Sequence, residues 1–186
     1  MIRTLLVAVT LTAIAVGQSF AQTKPAAEPQ PVDSEPETTT ATYGAWTLRC
    51  THRQVADTNQ RLCEVDQSVV PQGQQNPIAQ IGIGRLSAKD DMHITVVLPT
   101  NITFQNGPRV TAYDKDPGVE LTWRRCVPGG CIADAILKDD ILRAWHAVSA
   151  DTGRLFFTKA SGQNVAIEFS FRGFGQAMDA FAKERS

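Results

Sequence analysis

Along this chain apolar residues fall mostly at alternate positions, the period of a strand with one face buried and one wet. Trp46, Leu48 and Cys50 alternate with Thr47 and Arg49, so order begins at Tyr43-Gly44-Ala45-Trp46 and Trp46 belongs in a core. A polar loop from Thr51 to Gln60 follows, the extended pattern resumes from Arg61 to Val70, and Pro71-Gln72-Gly73-Gln74-Gln75-Asn76-Pro77 ends it. Ile78 to Leu86 sets Ile81 and Ile83 on one face and Gly82 and Gly84 on the other. Met92 to Leu98 reads as a continuously buried strand stopped by Pro99, and Arg109 to Tyr113 as another after the Asn106-Gly107-Pro108 turn. Arg154 to Lys159 and Asn164 to Phe171 are the last strands.

Between these runs lies Trp123-Arg124-Arg125-Cys126-Val127-Pro128-Gly129-Gly130-Cys131-Ile132, two extended arms around a Pro-Gly-Gly reversal. Proline presets φ for a turn and glycine accepts positive φ, so this stretch predicts a hairpin with Cys126 opposite Cys131. The period changes to 3.6 twice. From Lys138 to Val148 the residues Ile141, Leu142, Trp145 and Val148 share a stripe, with Asp139 placed to cap it. From Gly173 to Lys183 the stripe is Phe174, Ala177, Met178 and Phe181. The pattern therefore predicts a mainly β domain with two short helices, one before the last two strands and one at the C terminus.

Composition adds an address. At 186 residues, 42% hydrophobic, the chain has room for one domain with a core, residues 43–186. Before it, Arg3, the apolar run Leu5 to Val16 and Ser19-Phe20-Ala21 have the three parts of a signal peptide, 1–21, cut after Ala21. That run is too short to span a bilayer, which needs about 20 residues, so no transmembrane segment is expected in the mature chain. Residues 22–42, rich in Pro, Glu and Thr, hold almost nothing large and apolar and predict a disordered leader. The leader carries most of the acidic excess behind the net charge of −1, which leaves the domain near neutral and argues against a nucleic-acid groove.

Export also explains the four cysteines, because disulfides persist outside the cytoplasm. Of three pairings, closeness in sequence favours Cys50 with Cys63 and Cys126 with Cys131. Zinc is the rival, but this spacing matches no usual ligand set and no metal or cofactor is expected.

Nucleophilic catalysis needs a histidine near a nucleophile and an acid, yet His52 falls in a polar loop, His93 at a strand start and His146 on the polar side of a helix. Asp90-Asp91 and Asp139-Asp140 sit where a turn and a helix start want carboxylates. Asp114-Lys115-Asp116-Pro117-Gly118 opens like a calcium loop but has Val119 where glycine and Arg125 where glutamate belong, so it is a turn. No catalytic residue is assigned. The remaining constellation is the hairpin: with Cys126 facing Cys131, strict alternation sets Arg125 opposite Ile132, Trp123 opposite Asp134 and Leu121 opposite Ile136. Arg125 and Asp134 become diagonal neighbours beside Trp123, either a partly buried ion pair or a polar pocket for a partner.

The Trp-x-x-Cys-x4-Cys hairpin, together with Trp46-x3-Cys50, Cys63, the helix near Ile141 to Trp145 and Ile167-Glu168-Phe169-Ser170-Phe171-Arg172-Gly173-Phe174, resembles the invasion-associated locus B family of bacterial envelope proteins. That resemblance spans about Trp46 to Phe181. It implies an antiparallel β-sandwich-like fold and an exported, non-enzymatic protein, periplasmic, outer-membrane-associated or secreted, linked to host-cell invasion. It supplies no binding residues. The expected partner is a protein or an envelope or host surface component; the alternative is a periplasmic housekeeping module, such as an envelope stress or assembly factor or an inhibitor of an exported enzyme.

Overall fold

The computed structural model describes residues 37–55, 58–71, 73–85, 87, 89–148 and 152–184; the stretch expected to be a signal peptide and most of the expected leader lie outside them. Five strands come first, β1 (Thr38–Tyr43), β2 (Trp46–Val55), β3 (Thr58–Val69), β4 (Ala79–Gly84) and β5 (His93–Leu98). The chain then makes β6 (Arg109–Thr111) and β7 (Val119–Glu120), returns with β8 (Thr122–Val127) and β9 (Gly130–Ile136), and closes with α1 (Asp139–His146), β10 (Thr152–Thr158), β11 (Asn164–Ser170) and α2 (Phe174–Phe181). Two antiparallel sheets result, β1-β2-β3-β4-β5-β9-β8 and β11-β10-β6-β7. This is the sandwich-like, mainly β fold with two helices.

Alternation builds the core. Ile81 and Ile83 of β4 are buried beside Ile94, Val96 and Leu98 of β5, while Gly82, Thr95 and Val97 face the other way. β5 is therefore half-wet, not buried on both faces as its apolar run suggested. An antiparallel neighbour on each side leaves the outer face of the sheet to solvent.

Trp46, 1% exposed, joins the two ends of the domain. Its indole packs against Phe174 at 5.0 Å, Phe171 at 6.2 Å and Phe169 at 6.3 Å, and its Nε1 donates to the Ser170 carbonyl at 2.9 Å. The turn before it meets the entry to α2 backbone to backbone: the Ala45 amide donates to the Arg172 carbonyl at 3.0 Å. Gly44 and Gly173 both adopt positive φ, and a Cβ on either would collide with the other segment's carbonyl, Arg172 or Tyr43. Gln67, 5% exposed, completes the joint, donating Nε2 to the carbonyls of Ala45 (3.2 Å) and Ser170 (2.9 Å) and accepting the Ser170 amide (3.0 Å).

Several boundaries differ from the sequence reading. β1 starts at Thr38, inside the stretch assigned to the leader, because β-branched threonines suit a paired strand even with little apolar surface to signal it. The expected polar loop of residues 51–60 is mostly strand: β2 and β3 stay paired out to Val55 and Thr58, so His52 lies in a strand. β7 is two residues long, too short to leave a periodic trace. Asp139 does not cap α1; Lys138 holds that position without a side-chain bond, and Asp139 and Asp140 occupy the first turn. Asp116 makes the predicted turn and more, accepting the amides of Ala112 (2.7 Å) and Gly118 (2.9 Å) and the Trp145 indole N–H (2.9 Å), which docks α1.

Candidate interaction surface

Cys126 and Cys131 face each other across the β8–β9 hairpin and are bonded, as are Cys50 and Cys63 across β2 and β3, so all four thiols are used. Gly130 closes the turn at φ 144°, where a Cβ would strike the Leu98 carbonyl, so the stapled turn seats directly on the end of β5.

The register then departs from strict alternation. Cys126 pairs with Cys131 and Arg125 with Ile132, but Trp123 pairs with Ala133 and Thr122 with Asp134. Arg124 is the extra residue of a β-bulge. The bulge shifts everything before it by one, so the expected Arg125–Asp134 pair beside Trp123 does not form. Arg124 takes its place, its Nε and Nη2 donating to Asp134 Oδ1 at 2.8 and 2.7 Å. This is a surface pair, with side chains 54% and 20% exposed, and the hydrogen bond to Asp134 raises the Arg124 pKa. Arg125 is exposed, and its side chain has no ion pair or hydrogen bond among the described residues.

Trp123 turns to the other side of the strand. Half-buried, it donates Nε1 to the Asn106 carbonyl at 3.0 Å and meets Phe104 edge to face at 5.3 Å. Phe104 is 54% exposed, and Val127 at the hairpin tip is also exposed. The edge of the large sheet thus presents an aromatic pair on one side, two neighbouring guanidiniums on the other, and the apolar Val127 at its tip. These residue types carry much of the energy in protein interfaces. Alternation alone could not find Arg124 or Phe104; the signals were the doubled arginine after Trp123 and a lone Phe in a polar loop.

The three histidines lie on separate elements, His52 on β2, His93 on β5 and His146 on α1. His146 on α1 meets Asp179 on α2 at 2.9 Å, with side chains 43% and 64% exposed. Beside this pair lies a cavity of about 520 Å3 lined by Met92, Leu142, Met178 and Phe181. His93 lies on β5 beside Gly84 and Ile136. Cys50, Cys63 and Glu184 lie close enough to share an ion, but both sulfurs are committed to their bridge and are not thiolate ligands. On the outer face of β3, burial first and then the charge of Asp66 push the Glu64 carboxyl above its ordinary range, against the pull of Arg49 and Arg53.

Comparison with known proteins gives a consistent answer. A family model described as Invasion associated locus B (IalB) protein matches residues 46–182. Two Invasion protein B homologs of Brucella abortus, from strain 2308 and from biovar 1 strain 9-941, are each 26% identical over 141 residues, 74% of this chain and 76% of theirs. The crystal structure of invasion associated protein B from Bartonella henselae matches with a TM-score of 0.64 at 20% identity, covering 77% of this chain and 95% of that one. At that identity the match speaks for the fold.

Proposed function

This chain belongs to the invasion associated locus B family, and we propose that it is an exported envelope protein that works by binding a partner, without chemistry of its own, in the encounter with a host cell. The observation that carries this reading is the open surface around the stapled hairpin, where Phe104, from the loop after β5, stands exposed against Trp123 on one side and Arg125 stands exposed on the other. Burying such side chains on association gives affinity at little ordering cost, since the scaffold is already fixed. Export is supported by the two bridges, which an oxidising compartment maintains. The link to invasion comes from the names of the Brucella and Bartonella relatives.

The test is affinity capture by the purified processed protein from envelope extracts and from host surface preparations. A specific partner should be retained by the wild type and lost with Phe104→Ala or Arg125→Glu, while both variants melt as the wild type does. Retention unaffected by either change would remove the hairpin from the reading. A partner that proves to be a periplasmic enzyme would assign the protein to envelope housekeeping.

A further inference from the structure

Each sheet of a sandwich ends in edge strands whose outward backbone groups need an occupant or a guard. β8 is guarded by its bulge and its two arginines, and β7 is only two residues long. β1 and β11 each have a single neighbour and carry neither proline nor bulge, and of the two it is β11, beside β10, that borders a groove. The direction of its free groups follows from Ser170, whose amide and carbonyl both bond to Gln67 and so point away from β10. Backbone groups two residues apart point the same way, so the N–H and C=O of Glu168 and Ala166 also face outward, and they have no backbone partner among the described residues.

Gln67 shows what these groups accept. Its carboxamide gives Ser170 one donor and one acceptor, as the peptide group of an adjoining strand would. Beside it opens a groove of about 610 Å3 between β3 and β11, walled by Ser68, Val69, Val70, Glu168, Phe169 and Arg172. Val70 is 47% exposed there, although it is large and apolar.

We propose that the free edge of β11 is a strand-addition site, which takes an extended peptide segment of the partner in antiparallel register against Ala166 and Glu168. This deepens the partner-binding reading and rests on it. Main-chain bonds would give the affinity and alternate side chains the selectivity. Glu168 projects on the exposed face, where Arg154 of β10 lies opposite it at 3.5 Å; its other side is open, so the residue that an incoming strand sets there should be basic. Its neighbours turn toward Val70 and Phe169 and should be apolar. The occupant is therefore an extended segment of pattern apolar-basic-apolar.

The probe is the capped hexapeptide Thr-Val-Lys-Val-Thr-Val, titrated into the processed protein and followed by anisotropy and by amide exchange at single residues. Binding should slow exchange at Ala166 and Glu168. Ala166→Pro removes an outward N–H that an edge strand can spare, so it should leave the fold intact and weaken binding about tenfold, the worth of about one net hydrogen bond with its partner left unmade. Glu168→Lys should transfer preference to the peptide with Glu in place of Lys. Unchanged exchange at both amides, protection appearing at β1 instead, or undiminished binding by Ala166→Pro would each overturn the proposal. If Phe104→Ala abolishes capture of the cellular partner while Ala166→Pro does not, strand addition fails and the hairpin reading stands; if Ala166→Pro alone abolishes it, the partner enters through β11.

Discussion

Arg124 and Arg125 are neighbours, and of the two only Arg124 has a side-chain partner among the described residues. The Arg124–Asp134 pair is exposed, so Arg124→Ala and Arg125→Ala should both leave the thermal midpoint close to that of the wild type. A large drop from Arg125→Ala would mean that the bulge is misplaced and that the diagonal pair expected from alternation exists after all. Gln67 is the opposite case. Buried and bonded to both sheets, it should cost on the order of 2 kcal/mol as Gln67→Leu, read as a lower denaturant midpoint, because Ser170 then loses partners for its amide and a carbonyl bond. Glu64 gives a pH signature. Its folded value lies above its unfolded one, so the folded chain holds the proton more tightly, and stability present below the unfolded value is lost as pH rises through the raised one. Glu64→Gln should flatten that fall, as measured by unfolding midpoints across the carboxylate range.

At the scale of elements, the meeting of the β1–β2 turn with the start of α2 holds first and last segments together. Gly44→Ala or Gly173→Ala combines a disfavoured φ with a backbone collision and should cost well over about 1 kcal/mol, while Gly162→Ala, at positive φ but in open space, should cost less. Equal losses at all three, measured by chemical unfolding, would place the cost in φ alone. This joint was half legible in the sequence. Tyr43-Gly44-Ala45-Trp46 and Phe169-Ser170-Phe171-Arg172-Gly173-Phe174 each stood out, but nothing local said that they touch. The strands were legible wherever one face is apolar, as in β4. They were not in β1, whose threonines bury little, nor along the paired polar ends of β2 and β3, where hydrogen bonding continues without apolar alternation. The bulge at Arg124 escaped because a count by twos cannot see an inserted residue, and it moved the one pair on which the expected site depended.

For the molecule as a whole, the two bridges divide the work of stabilisation. By loop entropy the Cys50–Cys63 closure, thirteen residues apart, contributes about 3 kcal/mol, and the Cys126–Cys131 closure, five apart, about 2. Replacing each pair by alanine should lower the unfolding free energy in that order, and the loss of the hairpin bridge should loosen β8 while the core around Trp46 stays packed. The Cys126–Cys131 bridge closes the hairpin that carries Trp123, on which Phe104 packs, so this aromatic pair is held in place before any partner arrives. The most direct test replaces Phe104 with a photoreactive phenylalanine analogue in intact cells, with the same analogue at exposed Gln176 on α2 as reference. A discrete covalent adduct at position 104 and none at 176 is the predicted result. No adduct at 104, or equal labelling at both positions, would contradict a partner-binding role for this surface.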